Sequence, residues 1–288
     1  MSGFDAGWLD LREPADHRAL ARGPLDRLQA LFGARRGIVS VADVGAGSGS
    51  LLRALAPRLG ARQRWMLVER DPLLLRHART RLCAWADAHV DDDDHGVLWL
   101  TKGGLRIEVA FLGHDLARDP LPEPIAGVAD LVTASAFFDL VGADWLEAFM
   151  VRLAKARRPL YAPLIYSGRK TFAPPHPGDA AVLAAFNRHQ RGDKGLGPAL
   201  GPDAPRALAK AAEAAGYACM ERDSPWRLEP ADGPLVERLV SGMADAVGEL
   251  PEPPPILDDW SAFRLAAAKT EGSAEVAHVD LLLEPQTR

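Results

Sequence analysis

Apolar residues recur at helical spacing at the start of the chain, with Trp8, Leu9, Leu11 and Leu20 followed by Leu25, Leu28, Leu31 and Phe32. This rhythm predicts a helical N-terminal cap over residues 1–37. Beyond it the pattern changes to short, β-branched apolar runs near 38–44, 64–69, 106–112, 129–134 and 159–165, separated by helix-like stretches near 49–59, 72–88 and 143–156. Strands alternating with helices predict a parallel sheet covered on both faces. Val97–Thr101 and Leu105–Leu112 flank Lys102-Gly103-Gly104, a hairpin pattern that gives the third strand a preceding partner. After the fifth strand, residues 166–201 hold Pro174, Pro175, Pro177 and six glycines around a helical stretch, Asp179 to Gln190. A connection this long is usually functional. Following a strand whose carboxyl end faces the ligand side, it is expected to be a lid over the substrate. A helix over 203–215, a strand near 217–223, helical stretches over 235–247 and after Leu257, and a last strand over 278–283 complete the chain.

Candidate chemistry begins where the first strand breaks into Asp43-Val44-Gly45-Ala46-Gly47-Ser48-Gly49-Ser50. A buried strand entering a glycine-rich turn before a helix is how an α/β sheet offers backbone to an adenosine-containing cofactor. Two details point away from a dinucleotide. Close helix–strand packing in that fingerprint needs Gly or Ala at the position occupied by Ser50. Asp43, two residues before the first glycine, would face a pyrophosphate, and like charges at short range are unfavourable. A cofactor with a cationic end and no phosphate suits the turn better.

The segment Asp43 to Gly49 resembles the first motif of class I S-adenosylmethionine (SAM)-dependent methyltransferases, an acidic residue followed by Gly-x-Gly-x-Gly. The resemblance implies that the backbone of Gly45, Ala46, Gly47 and Gly49 wraps the methionine part, with Asp43 near its amino group. Glu69 ends the second strand twenty residues after Gly49, the spacing of a ribose-diol acceptor; Arg70 adjoins it, and Asp71 before Pro72 fits a helix N-cap. By the same resemblance, Asp115 accepts from the adenine amino group, Leu116 lies against the ring, and Ser135 closes the fourth strand beside Phe137, Phe138 and Asp139, where methyl donor and acceptor meet. It covers residues 38–165 and implies a fold: α/β, a Rossmann-like seven-stranded mostly parallel sheet with helices on both faces, an N-terminal helical cap and a lid insertion after strand five. The whole is expected as a single methyltransferase domain, 1–288, with a SAM-binding core at 38–165, the lid at 166–201 and the rest of the sheet at 202–288.

Methyl transfer chiefly requires a positioned nucleophile, and a hydroxyl or amine acceptor also requires a base. Asp139, Tyr166 and His189 are the catalytic candidates, with Asp193 a further one; Trp145 and Trp226 could wall a ring-shaped acceptor. Arg12 and Glu13 are expected on the surface. From Arg152 to Lys194 there are nine Lys/Arg against two Asp, in a chain of net charge −5. Such asymmetry can mark the entry of an anionic substrate or merely a solvated face. The four adjacent aspartates 91–94 lack the turn that would aim them at one ion, so no metal site is expected. Two cysteines cannot frame a small disulfide scaffold. No signal peptide and no membrane-length apolar run are visible, giving a cytoplasmic expectation with no membrane partner. The expected activity is methyl transfer from SAM to a small, anionic or aromatic, metabolite. RNA methylation is disfavoured for want of an RNA-binding module. A nicotinamide oxidoreductase and a non-catalytic partner subunit of the same fold are weaker alternatives.

Overall fold

The computed structural model describes residues 5–92 and 96–286. The N-terminal apolar stripe forms α1 (Ala6–Ala19), capped by the Asp5 carboxylate, and α2 (Arg22–Leu28). The alternating segments then form β1 (Val39–Val44), α3 (Ser50–Leu55), β2 (Arg62–Glu69) and α4 (Pro72–Trp85). An antiparallel meander of β3 (Ala88–Asp92), β4 (Val97–Lys102) and β5 (Leu105–Gly113) follows. The core continues with α5 (Glu123–Val128), β6 (Leu131–Thr133), α6 (Ala143–Ala156) and β7 (Leu160–Ala173). The C-terminal part comprises α7 (Asp179–Gln190), α8 (Ala204–Ala214), β8 (Tyr217–Asp223), β9 (Trp226–Leu228), α9 (Gly233–Gly248), α10 (Leu257–Ala268) and β10 (Ser273–Pro285).

The strand order is β3-β4-β5-β2-β1-β6-β7-β10-β8, with β9 also pairing with β10. β5, β2, β1, β6 and β7 are mutually parallel. β10 runs antiparallel between β7 and β8. The order reverses direction at β1, so a crevice opens at the carboxyl ends of β1 and β6, where open α/β sheets bind ligands. One apolar layer, including Val132, Leu146, Phe149 and Leu208, fills one face, and another, including Leu28, Leu52, Trp65 and Leu82, fills the other. A third cluster around Trp226, Leu239 and Trp260 lies beneath α9 and α10.

The expected count of seven strands is corrected to ten. β3 and β4 extend the edge beyond β5, and β9 adds to β10. β3 carries no apolar alternation because all but Asp92 of its residues are exposed. The bounds of the expected lid change as well. β7 does not stop near 165 but continues to Ala173, where it pairs with the beginning of β10 as far as Ser273. Tyr166 to Ala173 is therefore strand, not insertion. α7 is packed down through buried Val182 and Ala185, leaving irregular chain only at 174–178 and 191–200. Of the acidic run, Asp91 pairs with Arg79, and Asp93 and Asp94 lie outside the described residues. Among the described residues, no helix is long and apolar enough to cross a membrane.

Candidate active site

The turn after β1 is built around backbone that only glycine adopts easily. Gly45, Gly47 and Gly49 have φ of +66°, +54° and +69°. At Gly45 a Cβ would stand 2.6 Å from the Phe137 ring, so the conformation and the close approach both demand glycine. The N–H groups of Gly45 and Ala46 donate to the Val68 carbonyl, at 2.9 and 3.1 Å, which ties the turn to β2. Glu69, at the end of β2, faces it. One carboxylate oxygen accepts the N–H groups of Arg70 (2.8 Å) and Asp71 (3.1 Å), and the other accepts the Gly47 N–H at 3.2 Å. Asp71 caps α4 at the Leu73 N–H, with Pro72 in the first helical position.

Asp43 lies beneath the turn, not on an open face. It is 1% exposed and accepts from the Thr133 hydroxyl at 2.7 Å. Burial, reinforced by the Glu69 charge and opposed by the Thr133 hydrogen bond, pushes its carboxyl up to about 7. The loop after β5 meets Glu69 where the His114 N–H donates to the Glu69 carbonyl at 3.2 Å. In that loop Asp115 is solvent-facing, with one oxygen accepting the Ala117 N–H. Leu116 is buried in the core, and its carbonyl accepts the Trp145 indole N–H at 2.7 Å. Ser135 is half-buried just beyond β6.

α1 covers the turn. The Leu9 side chain is the nearest neighbour of the space beside Gly47. Glu13, expected on the surface, is 8% exposed and forms a two-pronged ion pair with Arg53, whose third arm donates to the Ser48 carbonyl at 2.9 Å. His17 reaches Ser50 at 2.9 Å, and His77 reaches Asp10 on α1 at 2.9 Å.

Beside the turn, past Phe137, lies a second group of polar side chains. Asp139 follows β6; Tyr166 and Lys170 come from β7, His278 from β10 and Arg12 from α1. The register explains the convergence, because Tyr166 pairs with His278 and Lys170 with Val276 across the β7–β10 ribbon. Lys170 is nine-tenths buried, with Nζ 3.7 Å from the Phe186 ring centroid and 5.0 Å from that of Tyr166. Burial pulls this ammonium down to about 7 against the charge of Asp139. Asp139 has a solvent-inaccessible Oδ1 with no hydrogen-bond partner among the described residues. Burial raises its carboxyl to about 6, although nearby backbone N–H groups and the charges of Arg12 and Lys170 pull it down. Burial, with Arg12 and Lys170, lowers His278 to about 3, which keeps its imidazole neutral, and its Nδ1 is equally unpartnered. Burial and Asp139 raise the Tyr166 phenol, whose O–H donates to Asn187 at 2.8 Å. Arg12 is gripped by Asp16 at 2.8 and 3.1 Å and lies 5.0 Å over Trp226.

No family model matches the chain, and no curated protein matches it in sequence. Solved structures do match. A cyclopropane-fatty-acyl-phospholipid synthase-like protein from Lactobacillus casei superposes with a TM-score of 0.51 and 17% identity, over 95% of this chain and 98% of that one. The two share one fold, an α/β Rossmann-like sheet covered by helices on both faces. A protein solved with the Haloferax volcanii Trm112 methyltransferase activator reaches 0.49 at 17% identity, over 99% and 97% of the two chains. A SAM-dependent methyltransferase from Geobacter sulfurreducens, in complex with S-adenosyl-L-homocysteine, reaches 0.43 at 14%, over 99% and 100%. At these identities likeness establishes fold alone, and the latter two carry no further argument.

Within this fold Gly45, Ala46, Gly47, Gly49, Glu69 and Arg70 lie at the carboxyl ends of β1 and β2, with Asp43 buried beneath the turn, Asp115 in the loop after β5 and Ser135 just beyond β6. The structure brings Asp139 and Tyr166 together but places His189 elsewhere: its Nε2 meets Glu249 at 2.9 Å, and Lys194 donates to its carbonyl at 3.3 Å. Asp193 accepts the Gly195 N–H in an exposed turn. Trp145 packs against Phe137, Phe138 and Phe149 in the core, whereas Trp226 stands beside His278 at 5.1 Å. Much of the basic excess over 152–194 meets local partners: Arg152 pairs with Asp119, Arg158 donates to the carbonyls of Ala126 and Gly127, and Arg191 pairs with Asp203. Arg12, Lys170 and His278 join Asp139 and Tyr166 in this cluster without a local sequence motif to mark them. The usable signal was period-two alternation of Tyr166, Lys170 and Phe172, which marks a strand face.

Proposed function

We propose that the protein is a SAM-dependent methyltransferase acting on a small molecule. The observation that carries this reading is the turn itself: three left-handed glycines held against Glu69, at the switch point of the sheet, with the Asp139 cluster adjoining through Phe137. Its residues fit the cofactor. A Cβ would close the cradle at Gly45, and Glu69 is fixed by three backbone N–H groups so that its one remaining lone pair, on the oxygen facing Gly47, can accept a ribose hydroxyl. Asp43 is a buried carboxyl that a neighbouring ammonium would favour in its charged form. Asp115 and Ser135 would lie along the adenosine, with Arg70 at the outer edge.

SAM supplies a methyl group activated by its sulfonium. The glycine turn and Glu69 would hold this donor, and its activated methyl group would be the carbon that the acceptor's lone pair meets. Asp139 is the base that removes the acceptor's proton, and Tyr166, held by Asn187, orients the acceptor. A small acceptor suits a cluster covered by α1 and β7 better than an RNA does.

Calorimetry tests the reading. SAM and S-adenosylhomocysteine should bind with micromolar-order affinity, and NAD and NADP should not. Glu69→Ala should weaken SAM by about 1–3 kcal/mol, the scale of a hydrogen bond to a charged group, with circular dichroism unchanged. NADP binding tighter than SAM would overturn the proposal.

A further inference from the structure

Lys170, Asp139 and His278 present an unusual combination. Lys170 is nine-tenths buried and its Nζ meets ring faces in place of a hydrogen-bond or ion partner among the described residues, and two solvent-inaccessible polar atoms, Asp139 Oδ1 and His278 Nδ1, have no hydrogen-bond partner. Buried polar groups are almost always satisfied, and buried charges are paired. Arg12 does not serve as the missing partner of Asp139, because Asp16 holds it with two hydrogen bonds, and Trp226 shares that carboxylate at 2.9 Å. Lys170 and Asp139 do not approach within the 4.0 Å of an ion pair. One cation and one anion thus act on each other across a gap wider than an ion pair, the cation without a hydrogen bond and the anion with one oxygen unpaired.

We propose that this gap is the acceptor site and that it takes a small hydroxy- or amino-carboxylate, whose carboxylate meets Lys170 and whose O–H or N–H meets Asp139. This rests on the methyltransferase reading for the role of the site, although the recognition itself follows from the three unpartnered groups. The carboxylate neutralises Lys170, which the Phe186 ring face alone cannot do. The donor group lies on Asp139, the residue that follows β6 beside the glycine turn, so the atom to be methylated is directed toward the cofactor crevice. His278 Nδ1 is available to a second oxygen or N–H of the ligand. The aromatic surfaces of Tyr166, Phe186 and Trp226 exclude water, which strengthens both contacts.

The experiment titrates wild type and Lys170→Met, each saturated with S-adenosylhomocysteine, with acetate, glycine, benzoate and 4-hydroxybenzoate, and with acetamide and benzamide as neutral counterparts. Binding is read by calorimetry and by melting temperature. At least one carboxylate should bind wild type, its amide should bind at least about tenfold more weakly, and Lys170→Met should lose about 10–100-fold for that carboxylate, the range of a charge-assisted hydrogen bond. Lys170→Met should fold, because it replaces an unpaired buried charge with a similar apolar shape. Lys170→Arg, which keeps the charge, should retain part of the affinity. Should Lys170→Met fail to fold, the comparison between carboxylates and amides in wild type and Lys170→Arg decides the matter. If S-adenosylhomocysteine itself does not bind wild type, the methyltransferase reading fails, and the carboxylate titrations without it still judge this site. If S-adenosylhomocysteine binds but no carboxylate is preferred to its amide, or Lys170→Met binds carboxylates as wild type does, the inference is overturned.

Discussion

Removing the carboxylate of Glu13 should expose how far the N-terminal helix holds the glycine turn. The Arg53 side chain is 4% exposed and that of Glu13 10%. Arg53 Nε donates to Glu13 at 2.8 Å, Nη2 donates to the other oxygen, and Nη1 donates to the Ser48 carbonyl at 2.9 Å. Glu13→Ala leaves a buried guanidinium with one carbonyl partner, and stripping one member of a buried pair costs about 3–5 kcal/mol. That is a large part of the ~5–15 kcal/mol that stabilises an ordinary domain. Burial pushes the Glu13 carboxyl up, but the hydrogen bonds and charge of Arg53, with His17 and Arg81, outweigh it and hold it below its ordinary 4.5. A depressed carboxylate stabilises the fold above the unfolded value, and that contribution is lost as pH falls through the folded value. The gap between wild type and Glu13→Ala in urea denaturation should therefore be full at neutral pH and close below pH 4.5. The double variant Glu13→Met/Arg53→Met should regain most of the stability, because a buried pair replaced by apolar groups is often neutral. It should still bind SAM about tenfold more weakly, since the Ser48 carbonyl loses its donor. A Glu13→Ala protein within about 1 kcal/mol of wild type, the range of an exposed pair, would refute the reasoning.

Gly45→Ala should destabilise by about 2–5 kcal/mol, combining left-handed backbone with overpacking against Phe137, a ring backed by Trp145 and Phe138; unchanged denaturation and SAM affinity would show that the turn tolerates a side chain. Asp43, raised to about 7 when the site lacks a cation, should be driven to its charged form by the ammonium of SAM. Binding near pH 7 should then release a fraction of a proton, seen in calorimetry as a heat that varies with the buffer's ionisation enthalpy, and affinity should rise with pH through about 7. Asp43→Asn should abolish the release, and a buffer-independent heat in wild type would remove Asp43 from cofactor recognition.

The cofactor crevice was legible because its constraints are local. Gly45 and Gly49 need left-handed backbone, Asp71 and Pro72 start a helix in consecutive positions, and Glu69 sits at a strand end, so short windows of sequence carry each feature. The acceptor cluster was legible only in part because its constraints are long-range. Asp139 could be chosen by its distance from β6, but Lys170 and His278 meet only through the β7–β10 register, across more than a hundred residues. Tyr166-Ser167-Gly168-Arg169-Lys170 also reads as a loop, since its glycine and polar side chains hide a strand that the pairing with β10 stabilises. The same mechanism explains Arg12 and Glu13. On an isolated helix they belong to the solvent face, and only Arg53 and Asp16, with Trp226 beyond, turn them inward. Glu13 is hidden from local rules because Arg53, forty residues along the chain, balances its charge, and Lys170 because a pairing more than a hundred residues away makes its segment a strand. Arg12 on α1 and Lys170 on β7 both act on Asp139, so the positions that local rules hide coincide with the proposed acceptor site.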